Sequence, residues 1–487
     1  MNYIEALKKE DILLTTTENG DIAFASSGSF CLDFFALAGG MRYNYQGINN
    51  LFIRSYYEDK ILTLKIMLYL RDVLNGLGER NSFRMTFNLL SNLNPKLARQ
   101  LLPIIPKYGR WDDILSGLST PIEGDVVKLI EVTLDEDLIK YNQNQEISLL
   151  SKWLPSINTS NKDAKLMAKR ISNKLGYTPE EYRKLVSKLR KGRIIENKLR
   201  KKDYTFDYSK VPSQAILKYS KAFIRNDQDR FKDFIAKVRN NKAKINIRTI
   251  STSQISHGIL KDKSILVDEF QDVAWNALER KEFVTRTIVV RDGSSSMLWG
   301  QGPITPMDIA TSIAIFAAEQ LPKPFKNHFI TFSENPRLIE IPEGTISEKV
   351  KYVETFDEVA NTNISKVYEL LLNVAKKNKV GPNDMIEQVI IISDMQFDEC
   401  VTGESTFNTY KNKFEEIGLK MPQLVFWNVS ARNIQVPITQ NELGVKLVSG
   451  SSQKILENII ANKIDQTAYD FMIEDLKRYS EVDKFEI

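Results

Sequence analysis

The stretch TIVVRDGSSSMLWG, residues 287–300, decides how this chain is read. A β-branched apolar run ends in an aspartate, a glycine and three consecutive serines. From Phe283 onward, runs of this kind alternate with helical patterns. TRTIVV is followed by the helical PMDIATSIAIFAAEQL, then HFITFS, the helical SKVYELLLNVAKK, EQVIIISD, a helix near STFNTYKNKFEEIG, and QLVFWNVS. Near-continuous apolar strands separated by helices imply βαβ units and a mostly parallel sheet covered on both faces. RLIEIP is short enough for an antiparallel edge strand. The expectation is a doubly wound α/β domain over residues 283–487.

In such a sheet, ligands bind at the carboxyl ends of the strands. Asp292, Ser294 and Ser296 sit at one such end, spaced so that a carboxylate and alternate hydroxyls turn toward one point. Two later loops supply more oxygen: Thr362, just before the helix in ANTNISKVYELL, and Asp394, at the end of QVIIISD. Hard oxygen donors of this kind suit Mg²⁺ or Mn²⁺. The D-x-S-x-S pattern alone fits a plain strand-to-helix turn with an N-cap equally well. Thr362 and Asp394 in the matching elements favour the ion.

A catalytic role is not expected. A Ser–His–Asp hydrolase needs a histidine, and the chain has His257 and His328 alone. There is no G-x-S-x-G elbow, P-loop or G-x-G-x-x-G after a strand. An aspartyl-phosphate reading of Asp292 needs a carboxylate where Ser294 stands.

Upstream, the grammar differs. LLTTTENGDIAFASS, residues 13–27, reads as a hairpin turning at Asn19-Gly20. From about Tyr57 the apolar spacing becomes helical, in short amphipathic segments joined by Pro-, Gly- or Asn-marked turns. Residues 1–282 are therefore expected to be an all-helical, solenoid-like repeat domain, HEAT-like in its stacking. Between Lys152 and Arg248 there are 27 lysines and arginines against 9 aspartates and glutamates. That excess of 18 leaves the rest of the chain at −13 against a total of +5, and points to a polyanionic partner, nucleic acid first. Thr178, Pro179 and Glu181 make a capping-box start to one basic helix, whose buried stripe is Tyr182, Leu185, Val186 and Leu189. The candidate RNA contacts are Lys165, Lys169, Arg170, Arg183, Lys184, Lys188, Arg190, Lys191, Arg193, Lys198, Arg200, Lys201 and Lys202. The mixed phrases RDVLNGLGER and YGRWDDIL read as ion pairs and packing between helices.

The 42% hydrophobic and 26% charged fractions are those of an ordinary globular protein. No apolar run reaches the roughly 18 residues of a membrane span, and MNYIEALKKEDILL lacks the layout of a secretion signal. With Cys31 and Cys400 as the chain's two cysteines, a disulfide framework is not expected, and a reducing cytoplasm fits.

The residues after 283 resemble the von Willebrand factor A domain with its metal-ion-dependent adhesion site. That resemblance implies Ser294, Ser296 and Thr362 as direct ligands, Asp292 and Asp394 acting through water, and a sixth position filled by a carboxylate from a partner protein. SSGSFCLDFFALAGG, RDVLNGLGER, YGRWDDIL, SLLSKWLPSINTS and YRKLVSKLRKGRIIENKL…VPSQAILKYSKAF together resemble the family called domain of unknown function 2828. Its architecture is similar to the Ro autoantigen: TROVE-type helical repeats followed by an A domain. The likeness implies a ribonucleoprotein component that binds small noncoding or structured RNA. The alternative is a protein-interaction or viral structural module that uses the metal site for adhesion and no RNA.

Overall fold

The computed structural model describes residues 14–16, 22–191, 194–257, 259, 265–300, 302–357, 364–395, 406–432, 434, 436, 443–461 and 466–487. Strands β1 (Leu14–Thr16) and β2 (Ile22–Phe24) pair antiparallel, as the hairpin reading expects. The Asn19-Gly20 turn lies outside the described residues.

Helices begin earlier than the sequence spacing suggests. α1 (Phe30–Leu37) starts where the Ser29 side chain accepts from the Leu32 amide, and α2 (Tyr45–Glu58) where Asn44 accepts from the Gly47 amide. Seven of the eight residues of α1 are buried, so it shows no one-sided period and escapes a search for one. α3 (Lys60–Arg71), α4 (Arg80–Leu93), α5 (Pro95–Leu101) and α6 (Ile105–Tyr108) follow. α4 buries Phe83, Phe87 and Leu90, spaced as one helical face, with the two phenylalanine rings stacked 6.0 Å apart. A 3-10 turn, Trp111–Gly117, leads to α7 (Glu123–Asn142) and α8 (Leu150–Trp153). The basic segment holds α9 (Lys162–Lys174), α10 (Pro179–Leu189), α11 (Ile195–Arg200), α12 (Ser213–Asn226) and α13 (Gln228–Arg239). α14 (Thr252–Ser256) and α15 (Ile265–Asn276) complete the helical half.

The mixed phrases behave as the packing reading expects. Arg71 and Arg84 both grip Asp113, at 2.6 and 2.7 Å, and Arg84 and Arg110 both reach Asp112 at 2.7 Å. Glu79 holds Arg42 at 2.6 Å. These ties fasten α3 and α4 to the Trp111–Gly117 turn.

The second half is a six-stranded sheet in the order β5-β4-β3-β6-β7-β8. Its strands are β3 (Thr287–Asp292), β4 (His328–Phe332), β5 (Leu338–Glu340), β6 (Gln388–Ser393), β7 (Gln423–Asn428) and β8 (Val445–Ser449). β5 is antiparallel at the edge and the other neighbours are parallel. The helices are α16 (Pro306–Ala318), α17 (Ile346–Glu354), α18 (Ile364–Asn378), α19 (Thr406–Glu415), α20 (Lys454–Ala461) and α21 (Ala468–Leu476). β3, β6, β7 and β8 are buried along their whole length, the signature of a sheet sandwiched between helical layers. The chain leaves β3 for β4 on one side and returns to β6 on the other. The carboxyl ends of β3 and β6 therefore flank the point where strand order reverses.

The halves share one hydrophobic core that runs from Cys31 to Val482. α1 packs on β8, and their approach is too close for side chains. A Cβ on Gly39 would lie 2.8 Å from the Ser449 carbonyl oxygen, and one on Gly40 would lie 2.7 Å from the Ala431 amide. A 3-10 stretch, Lys477–Lys484, packs back on α3. There Tyr479 is fully buried and donates to Asp72 at 3.1 Å. A separate aromatic cluster built on Tyr208, Phe223, Phe231 and Phe270 sits under the basic segment. Among the described residues no helix is long and apolar enough to cross a membrane.

Candidate functional site

β3 delivers Asp292 to the strand end fully buried, and Gly293 then turns the chain into a short 3-10 segment, Ser295–Leu298. Asp292 Oδ1 accepts from the Ser294 amide at 2.9 Å, and Oδ2 accepts from the Ser393 hydroxyl at 2.6 Å. Ser393 ends β6, so its bond to Asp292 joins the two central strands. Its oxygen also receives the Met395 amide at 3.0 Å. The turn reading holds for Asp292, which folds its own loop. It does not account for Ser294, whose side chain makes no cap bond and instead lies 2.9 Å from the Ser296 hydroxyl.

Asp394 is 1% exposed and forms an ion pair with Arg432, Nη2 standing 3.4 Å from Oδ2. The same nitrogen donates to the Ser296 carbonyl at 2.6 Å. Arg432 thus bridges the β3 loop and the β6 end. Burial, and then the Asp394 charge, push the Asp292 carboxyl up to about 6. Two carboxylates that raise each other's cost of ionisation in a buried place form a field a cation relieves. The donor set of two carboxylates and two adjacent hydroxyls fits a hard divalent ion with water completing its shell. Among the described residues no three His, Cys, Asp or Glu side chains gather to hold a metal, so an ion here depends on the serines. The structure brings together Asp292, Ser294, Ser296 and Asp394. Thr362 lies outside the described residues.

Three side chains at this strand end carry no motif. Ser393 and Arg432 are two. Arg291 is the third: buried at 1% exposure, it donates to Thr311 Oγ1 at 2.7 Å and meets Asp357 at 2.5 Å. An arginine inside an otherwise apolar strand was the available signal for it. The rim is apolar, with Leu298 and Trp299 exposed at 58% and 74%. Tyr43, from the helical half, reaches this rim: a Cβ on Gly302 would fall 2.6 Å from its hydroxyl.

Residues 17–126 and 176–287 match the family described as Domain of unknown function (DUF2828), and residues 286–484 match Domain of unknown function (DUF7788). "Uncharacterized protein L728" of Acanthamoeba polyphaga mimivirus is 32% identical over 92% of this chain and 84% of its own length. The chain belongs to the DUF2828 family. Among solved structures, this DUF2828 protein is similar to one described as "Crystal structure of Deinococcus radiodurans RO (RSR) protein". The TM-score is 0.48 at 14% identity, over 93% of this chain and 100% of that one.

The basic face of this DUF2828 member is mixed. Lys165, Lys169, Arg170, Arg183, Lys184, Lys188, Lys191, Arg200, Lys201 and Lys202 are exposed, some of them with partners. Lys184 pairs with Glu180 at 2.8 Å one helical turn away, and Lys188 reaches Asn142 at 3.1 Å. Arg170 is clasped by both oxygens of Glu123, at 2.8 and 2.7 Å. Arg200 donates to Asn197 at 3.3 Å, and the Lys198 ammonium lies 5.9 Å from the centre of the Phe206 ring. Arg190 differs from its sequence reading as a phosphate contact. Its guanidinium donates to the Ser151 carbonyl at 2.6 Å and the Leu154 carbonyl at 2.5 Å. It closes the end of α8, whose last carbonyls have no helical partners. Arg193 lies outside the described residues. The capping box at Thr178 and Glu181 and the buried Tyr182, Val186 and Leu189 follow the sequence reading.

Proposed function

We propose that this protein is a non-enzymatic, Ro-like RNA-binding component of the cytoplasm. It holds small or structured RNA on the exposed cations of α9 to α11. Its sheet end takes Mg²⁺ (or Mn²⁺) and recruits a protein partner through a carboxylate. The observation that carries the RNA reading is the excess of 18 positive charges over residues 152–248, with ten of the candidate cations standing exposed around the α9–α11 segment. Phosphate contacts of this kind give affinity without demanding a pocket. The ion reading is supported by the buried Asp292–Asp394 pair beside the Ser294 and Ser296 hydroxyls. A bound ion there would supply an electrophilic site for the incoming carboxylate. The exposed Leu298 and Trp299 would give that partner an apolar footing. The non-enzymatic reading is supported by the histidines, which are engaged elsewhere: His257 with Asp308 at 3.3 Å and His328 with the Lys326 carbonyl at 2.7 Å.

The apolar rim also favours a second reading, an adhesive protein module that uses the ion and no RNA. Fluorescence anisotropy with labelled hairpin and single-stranded RNA across a salt series separates the two. Binding that falls steeply with salt supports the first reading. Protein that purifies free of nucleic acid and gives no titration sinks it and leaves the second.

A further inference from the structure

Arg432 stands where a divalent ion would have to work. Its Nη2 lies 3.4 Å from Asp394 Oδ2 and 2.6 Å from the Ser296 carbonyl. It therefore spans the β3 loop and the end of β6, the two segments whose side chains would hold the ion. Charge counting shows the conflict. Asp292 and Asp394 ionised carry −2, Arg432 leaves them at −1, and the neighbouring Arg291 is matched by Asp357 and does not change that sum. A divalent ion added beside the arginine reverses that to +1 in a buried place, whereas an ion that displaces it brings the cluster to neutrality.

The loop bearing Arg432 is also fastened to the helical half. The Asn44 side-chain amide donates to the Arg432 carbonyl at 2.9 Å, and the Ala431 amide donates to the Gly40 carbonyl at 3.1 Å. Gly40 admits that approach because it lacks a Cβ. Residues 40 and 44 thus set where the guanidinium stands, although they lie nearly 400 positions away in sequence.

We propose that Arg432 is a built-in cation that competes with the divalent ion for the Asp394–Ser296 gap, and that the Gly40–Asn44 segment holds it there. This inference rests on the ion reading above. Ion binding moves the arginine out, and with it the backbone that ties the sheet to the helical half. Ion occupancy and the seam between the halves are then two readings of one equilibrium. The apparent affinity for the ion is the intrinsic affinity multiplied by the fraction of molecules in which the arginine is out.

The test uses the full chain freed of metal, titrated with Mn²⁺ by calorimetry and by the electron spin resonance of free Mn²⁺. Three proteins are compared: wild type, Arg432→Ala and Asn44→Ser. Serine keeps the N-cap of α2 but is too short to reach the Arg432 carbonyl. Removing the competitor is expected to tighten Mn²⁺ binding about tenfold, and Asn44→Ser to tighten it about two- to threefold. A second readout comes from melting. In chelator, Arg432→Ala should melt below wild type, because two carboxylates lose their counter-charge. In saturating Mn²⁺ that difference should vanish. Mn²⁺ binding that Arg432→Ala leaves unchanged or weakens overturns the competitor and leaves the ion site standing. An Asn44→Ser protein indistinguishable from wild type overturns the link to the helical half. Absence of Mn²⁺ binding in every protein overturns the ion reading and this inference together.

Discussion

The sheet end and the basic helical face are built on opposite principles. At the sheet end every group constrains another. Ser393 holds Asp292, Asp292 folds the loop that carries Ser294, and Arg432 ties that loop to Asp394. The charges there are buried, so each is worth much and tolerates little. On and around α9 to α11 most of the cations stand in water and act by number. A site of the first kind should fail all at once, and one of the second kind by degrees.

The largest effect should come from striking the sheet end. Asp292→Ala with Ser294→Ala is expected to weaken Mn²⁺ binding by about 100-fold or more, read by calorimetry. RNA affinity should stay within about twofold of wild type. A matching loss of RNA binding would mean the two regions are one site. Next, glutamates at Lys184, Lys188 and Lys191 should weaken RNA binding about 10- to 100-fold near 0.1 M salt and make the log–log salt slope shallower by roughly 2 to 3. Circular dichroism should be unchanged. An unaltered slope removes these lysines from the phosphate path.

Within the basic face, one pair of substitutions separates surface from structure. Arg190→Ala strips the donors from two carbonyls and should cost about 1–2 kcal/mol of stability in a denaturant titration. Lys184→Ala should cost less than about 0.5 kcal/mol. Equal effects would show that Arg190 is an ordinary surface cation. The smallest effect concerns Glu354, near the sheet end. Burial, with Asp357 next, pushes its carboxyl up to about 7. The folded state therefore holds a proton that the unfolded state releases between the ordinary value of 4.5 and 7. Stability falls as pH rises through that window, and the cost is complete above it. Glu354→Gln should raise the Tm by about 2 °C at pH 8 and leave it unchanged at pH 4. A constant difference across pH would contradict that origin.

Legibility followed periodicity and capping. β3, β6 and β7 were plain because a strand buried on both faces is written as an unbroken apolar run. α10 announced itself by a Thr-Pro start with an acid at the third position, and α16 by its long helical pattern. β8 did not, because Lys446 interrupts its apolar run while lying fully buried. α1 did not, because it is buried on nearly every side. At the candidate site, Asp292, Ser294, Ser296 and Asp394 could be found from spacing within loops. Arg432 and Ser393 could not, since their roles arise from segments that meet only in three dimensions. Arg190 is a further case: nothing in its sequence surroundings signalled that a nearby helix end engages its guanidinium.

Tyr479 fills a place beside Asp72 that lies 407 residues earlier in the chain. During translation, the groove on α3 that it occupies is made early and stays open until the Lys477–Lys484 stretch emerges. For most of its synthesis the nascent chain therefore carries an uncovered apolar seam. Contacts of such long sequence separation slow folding. A chain halted before residue 477 would leave that groove uncovered even with its helices already formed.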